Sequence, residues 1–249
     1  MKHLKCRSII IYIIFILALI YSNSAFPETI QKKMVIGDAS GSIVISSDSF
    51  EIDNKRNIVT FTGNVEAVRD DINIKSQKIE LFYENLAGNN DPGKGRVNIL
   101  EIIATEKVML SRPDGGIATA EKAVYNQKDQ KVVLTGNVEA VRDDMNIKCQ
   151  KIELFYENLA DNNDPGKGRA KILEIIATEK VMLRRPDGGM ATAEKAVYNQ
   201  KDQKVVLTGN PVVKQGTDLV EGSKITLFLK EERILVEGKA KAVMKGEER

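Results

Sequence analysis

The chain has 249 residues and a formal charge of +2, with 37 basic residues against 35 acidic ones. Lys2, Lys5 and Arg7 sit at the start with no acidic residue among them, so the remainder is close to neutral and has no basic block, which argues against nucleic acid as a partner. The one histidine is His3, so nothing beyond it supplies an imidazole for acid–base catalysis, a Ser or Cys triad, or zinc ligation.

Residues 1–25 have the layout of a secretory signal. A basic start leads into the uncharged run Ile9 to Tyr21, and the small residues Ser22-Asn23-Ser24-Ala25 place cleavage after Ser24 or Ala25. The apolar run is shorter than the ~20 residues a straight helix needs to cross a bilayer, so a retained anchor is the alternative reading. Cys6 leaves with the signal, which strands Cys149 and excludes an intramolecular disulfide.

The rest, 26–249, reads as one domain built on a repeat. Residues 64–131 and 137–204 match except at the pairs Ile72/Met145, Ser76/Cys149, Gly88/Asp161, Val97/Ala170, Asn98/Lys171, Ser111/Arg184 and Ile117/Met190. Thr-Gly-Asn recurs at 62–64, 135–137 and 208–210, giving units 64–136 and 137–209 and a diverged C-terminal unit 210–245. A long period of this regularity marks a chain that grows by stacking structural units.

Within each unit apolar residues alternate as in half-buried strands. The first edge covers about Met34 to Ile52. Val59, Phe61, Val65 and Ala67 then share one parity, as do Val132, Leu134, Val138 and Ala140. After the turn at Arg69-Asp70-Asp71 the alternation resumes at Ile72 and Ile74, and again at Ile79, Leu81 and Tyr83. Ile74 and Ile79 are an odd number apart and cannot share a face of a straight strand. Lys75 to Lys78 is therefore a bend or bulge at a corner between two sheets. The same offset separates Val220 from Ile225, with Gly222 at the corner. Asn85 to Arg96 and Asn158 to Arg169 are loops, and Arg112 to Gly116 and Arg185 to Gly189 are tight turns. Ile99 to Leu110 is strand-rich, and Ala118 to Tyr125 is a strand with small inward residues. With ordinary strand and turn lengths each period holds about six strands. The Gly of Thr-Gly-Asn fits a bulge or a close-packed position that takes no side chain.

No constellation supports catalysis. Asp70-Asp71 and Asp143-Asp144 are solvated turn charges beside Arg69 and Arg142. Asp161 to Asp164 lacks calcium-loop spacing and is Gly at its first position in the other copy, Gly88. Gly93-Lys94-Gly95 and Gly166-Lys167-Gly168 lack the hydroxyl residue that completes a phosphate loop. Nothing implies a cofactor or a metal.

Phe61-Thr62-Gly63-Asn64-Val65, Leu134-Thr135-Gly136-Asn137-Val138 and Leu207-Thr208-Gly209-Asn210-Pro211 resemble the repeated core of the OstA-like (LptA) family. So do Ala118-Thr119-Ala120-Glu121-Lys122-Ala123 and Val220-Glu221-Gly222-Ser223-Lys224-Ile225. The resemblance runs from about Ser42 to Met244. It implies an all-β, extended, open, V-shaped jelly roll of antiparallel strands, here lengthened by a duplicated unit, by roughly 15 Å for six strands in two sheets. It also implies a non-enzymatic periplasmic protein that shields the acyl chains of lipopolysaccharide (its lipid A part) on the way from inner to outer membrane. The partners it implies are an LptC-like inner-membrane domain, an LptD-like outer-membrane domain, and further copies joined head to tail.

On that reading the inner trough is lined by Val59, Phe61, Val65, Ile74, Ile79, Leu81, Val132, Leu134, Val138, Ile147, Ile152, Leu154, Val205, Leu207, Ile225 and Leu227. The same residues equally suit a core that packs on itself. Two alternatives stay open: a structural β-repeat protein that forms envelope filaments without lipid, and a membrane-anchored component of the same pathway.

Overall fold

The computed structural model describes residues 32–38, 41–69, 72–85, 97–112, 115–142, 145–159, 169–186, 188–231 and 233–243. The signal segment, residues 86–96 and 160–168 of the long loops, the paired aspartates and the calcium-like and phosphate-loop-like stretches considered above lie outside them, while Asn85, Asn158 and Arg169 at the loop ends belong to strands. Chain contacts separate Met1–Ile30 from the body Gln31–Arg249.

That body is all-β. Its strands are β1 (Lys32–Asp38), β2 (Gly41–Ser47), β3 (Ser49–Asp53), β4 (Ile58–Arg69), β5 (Ile72–Asn85), β6 (Val97–Ser111), β7 (Ile117–Asn126), β8 (Lys131–Arg142) and β9 (Met145–Leu159). There follow β10 (Arg169–Arg184), β11 (Met190–Asn199), β12 (Lys204–Thr208), β13 (Val212–Gln215), β14 (Asp218–Glu221), β15 (Lys224–Phe228), β16 (Arg233–Glu237) and β17 (Lys241–Val243). From β4 to β11 each strand pairs antiparallel with the next, so one hydrogen-bonded ladder runs through the molecule.

The long strands all bend at the same level. Register shifts fall between Thr62 and Val65, Lys75 and Lys78, Thr105 and Val108, Thr119 and Lys122, Thr135 and Val138, and Thr178 and Val181. Alternate strands supply the extra residues as left-handed pairs: Gly63-Asn64, Glu106-Lys107, Gly136-Asn137, Glu179-Lys180 and Gly209-Asn210. A bulge inserts residues into one strand only, so that strand turns and its twist rises. Aligned bulges therefore crease the whole sheet into two flanks. At the molecule's ends the crease is a complete break, between β2 and β3, β12 and β13, β14 and β15, and β16 and β17. Gly222 sits at one of these breaks, and Lys75 to Lys78 at one of the bulges, where the sequence placed its corners.

Two expectations change in form. The two sheets are flanks of one continuous ladder, because strands cross the crease without losing their partners. Each period then holds four long strands, as in β5 to β8, and not six. The break in alternation at the crease had split single strands in two.

The roll is open among the described residues, since β1 and β3 at one end make no ladder with β16 or β17 at the other. Its core is a strip along the concave face, from Ile36, Ile43 and Ile45 at the N-terminal end to Leu207 and Ile225 near the C-terminal end.

Candidate functional site

Strand registers translate the alternation into three apolar rows on the inner face. On the flank that carries β3 and β16, one row reads Phe50, Phe61, Ile79, Ala104, Ala123, Leu134, Ile152, Ala177, Ala196, Leu207, Ile225 and Val236. A parallel row one step towards the rim holds Ile52, Val59, Leu81, Ile102, Tyr125, Val132, Leu154, Ile175, Tyr198, Val205, Leu227 and Ile234. On the other flank the row runs Ile45, Ala67, Ile74, Leu110, Ala118, Ala140, Ile147, Leu183, Ala191, Val213, Val220 and Ala242. Val65 and Val138 stand at the crease, opposite Ser76 and Cys149. All sixteen candidate residues thus lie on one concave face.

The rows contain no charged side chain, and their only polar atoms are the Tyr125 and Tyr198 hydroxyls at the rim. Tyr125 stacks on Tyr156 with ring centroids 6.2 Å apart. Burial, and then the neighbouring Tyr125, push the Tyr156 hydroxyl far above the ordinary tyrosine range, so it stays protonated. Charges sit on the convex face, paired across or along strands: Lys75 with Glu66 at 3.5 Å, Lys148 with Glu139 at 3.0 Å, and Lys151 with Glu153 at 3.2 Å. The Asn146 side chain and then Lys148 hold Glu139 below the usual carboxylate range. Among the described residues no group of three His, Cys, Asp or Glu is placed to hold a metal.

The candidate residues are not equally covered. Val59, Phe61, Ile79 and Leu81 are 0% exposed, while Leu134 and Ile152 keep 6% and 5% and Val132 and Leu154 are half-buried. Sequence reasoning missed the contributions of β6 and β10. There Ile102-Ile103 and Ile175-Ile176 put an apolar residue on each face, which hides the parity. It also missed Met34 and Ile36 of β1, which carry an alternation too short to read.

Such a molecule, an open β-roll with a charge-free aliphatic groove, belongs to the class of proteins that enclose or carry apolar matter. A family model described as "LptA/(LptD N-terminal domain) LPS transport protein" matches residues 44–112 and 118–233. The lipopolysaccharide export system protein LptA of Escherichia coli K12 is 31% identical over 179 residues, 72% of this chain and 94% of its own length. The chain belongs to this LptA/LptD N-terminal domain family. Among solved structures it matches LptH of Pseudomonas aeruginosa, described as the LptA-homologous periplasmic component of the lipopolysaccharide transport device. That match has 12% identity and a TM-score of 0.24, covering 84% of this chain and 99% of the other.

Proposed function

We propose that the protein is a periplasmic bridge that carries lipopolysaccharide between inner and outer membrane with its acyl chains against the concave face. The observation that carries this reading is the continuity of the apolar rows from β3 to β16. Twelve strands at ~4.8 Å make a groove about 50 Å long. At ~0.8 kcal/mol per methylene, a twelve-carbon chain left in water costs on the order of 10 kcal/mol, so a carrier needs an uninterrupted apolar surface. The protein acts by sheltering its cargo, not by chemistry on it.

End-to-end assembly suits the strand edges. β16 and β17 end the ladder with Ile234, Leu235 and Val243 exposed at 52%, 41% and 37%. An open edge with apolar side chains is a template for strand addition by an LptC-like or LptD-like roll or by a second copy. The N-terminal segment is cleaved on export in this reading, and N-terminal sequencing of the exported protein checks that.

The test is photo-cross-linking. A photoreactive residue at Leu134 should label purified lipid A, whereas one at Glu66 on the convex face should not. Labelling confined to Glu66 refutes the groove. Concentration-dependent polymers with no label anywhere favour a lipid-free filament.

A further inference from the structure

The repeat gives the molecule an internal control, because identical residues recur beside different neighbours. Leu81 is 0% exposed, Ile99 1% and Ile102 6%. Their equivalents Leu154, Ile172 and Ile175 are all half-buried. Ladder partners do not explain the difference. Leu81 lies between Val59 and Ile102, as Leu154 lies between Val132 and Ile175. Ile99 pairs with Tyr83 as Ile172 pairs with Tyr156. Something lies over the first repeat that the second lacks.

That element is β1. It makes a single ladder, to β2, and approaches β6 across the roll without pairing with it. Ile36 is 0% exposed and Met34 packs on the core, so β1 turns aliphatic side chains onto the concave face. Its convex residue Val35 is 54% exposed. An edge strand tied along one side is able to curl over the groove, while a strand tied along both sides is held in the sheet. Among the described residues no strand curls over β10 in the same way, because the strands that stand in β1's place one period later are interior.

We propose that β1 is a strap that shuts the first repeat's share of the groove with Met34 and Ile36. The second repeat is then the section open to an aliphatic chain, and displacement of β1 opens the groove through to its N-terminal end. This rests on the transport reading only for the identity of the cargo. Covering the groove would keep an unfilled end out of water until docking or loading moves the strap.

The test uses the full chain with Cys6 and Cys149 changed to Ser, carrying either Ile99→Cys or Ile172→Cys, and follows labelling by N-ethylmaleimide. Ile172→Cys should react at least ~10-fold faster than Ile99→Cys. Adding Ile36→Asp should raise Ile99→Cys to the same rate and leave Ile172→Cys unchanged. Equal rates in the parent, or a gap that survives Ile36→Asp, overturn the strap. If Ile36→Asp loses its β-sheet circular dichroism, the pair Met34→Ala and Ile36→Ala reads the same quantity. Lipid A should slow labelling of Ile172→Cys alone in the parent and of both cysteines once β1 is displaced. Slowing at Ile99→Cys in the parent overturns the strap. Slowing at neither site in any variant overturns the transport reading, and the rate comparison still decides the strap.

Discussion

Gly63, Gly136 and Gly209 are the points where the crease forms, and each is glycine for two separate reasons. Their φ angles are +78°, +82° and +79°, in the left-handed region that L side chains rarely adopt. A Cβ on Gly136 would also stand 2.7 Å from the Cβ of Glu121, and one on Gly209 would stand 2.4 Å from the Cβ of Glu194. The neighbouring Asn137 donates from Nδ2 to Glu121 Oε1 at 2.7 Å, as Asn64 donates to Asp48 Oδ2 at 2.9 Å, which ties each bulge to the strand before it. Gly136→Ala should therefore cost about 1–3 kcal/mol in urea unfolding, and Glu121→Gly in the same chain should recover part of that by removing the collision but not the strain. No change in midpoint for Gly136→Ala would contradict the account. Cys149 shows the opposite case, a residue whose identity matters little. Its thiol donates to the Lys151 carbonyl at 3.4 Å where Ser76 Oγ donates to the Lys78 carbonyl at 3.1 Å. Cys149→Ser should be close to neutral at pH 7. Burial pushes the Cys149 thiol up from 9.0 to about 11, so the folded state holds a proton that the unfolded chain gives up. The stability tied to that proton is complete below pH 9 and is lost as pH climbs from 9 to 11. The native chain should lose urea resistance over that window relative to Cys149→Ser, and parallel pH profiles would count against the buried thiol.

At the scale of strands, period-two alternation exposed the inner parity of β4, β5, β8, β9, β12 and β15, because a strand with one buried face writes that face into its sequence. The odd spacing from Ile74 to Ile79 likewise located the crease. Strand number was less legible: a bulged strand and two separate strands break the alternation in the same way, and only the hydrogen-bond ladder tells them apart. β6 and β10 were obscured by Ile102-Ile103 and Ile175-Ile176, whose outer members are half-buried on the convex face. The cover that β1 provides depends on where an edge strand curls, and no local pattern encodes that. Edge strands also carry a prediction of their own. Ile234 ends the rim-side row on β16 and is 52% exposed, so the folded monomer gains little from it. Ile234→Lys should leave the thermal midpoint of dilute protein nearly unchanged, within about 0.5 kcal/mol of stability, yet weaken end-to-end assembly by placing a charge on the pairing edge. Light scattering across a concentration series reads this directly, and unchanged oligomers would mean that assembly uses another surface.

For the whole molecule, the period is a physical unit because four strands return both the crease and the size pattern of the inner row to their starting phase. Phe61 and Ile79, then Leu134 and Ile152, then Leu207 and Ile225 are large, and Ala104 and Ala123, then Ala177 and Ala196, are small between them. Removing residues 64–136 joins Gly63 to Asn137 and keeps that order. The first half of β4 still pairs with β3, and Val141, Ala140 and Glu139 take the places of Val68, Ala67 and Glu66 against β2. The next strand, β9, differs from β5 over their shared length only at Met145 for Ile72 and Cys149 for Ser76. The shortened protein should fold cooperatively, keep lipid A binding, and be about 19 Å shorter by small-angle scattering, since four strands at ~4.8 Å are lost. A contrasting deletion of residues 72–116 removes two strands and sets β7 against β4. If the turn after Arg69 keeps its register, Arg69 then faces Ile117, Ala67 faces Thr119, and the inward alanines of β7 turn outward. That chain should not form the sheet. If both deletions fold equally well, phase does not matter and the stacked-unit account fails; if neither folds, the two copies depend on each other and the added block is more than length.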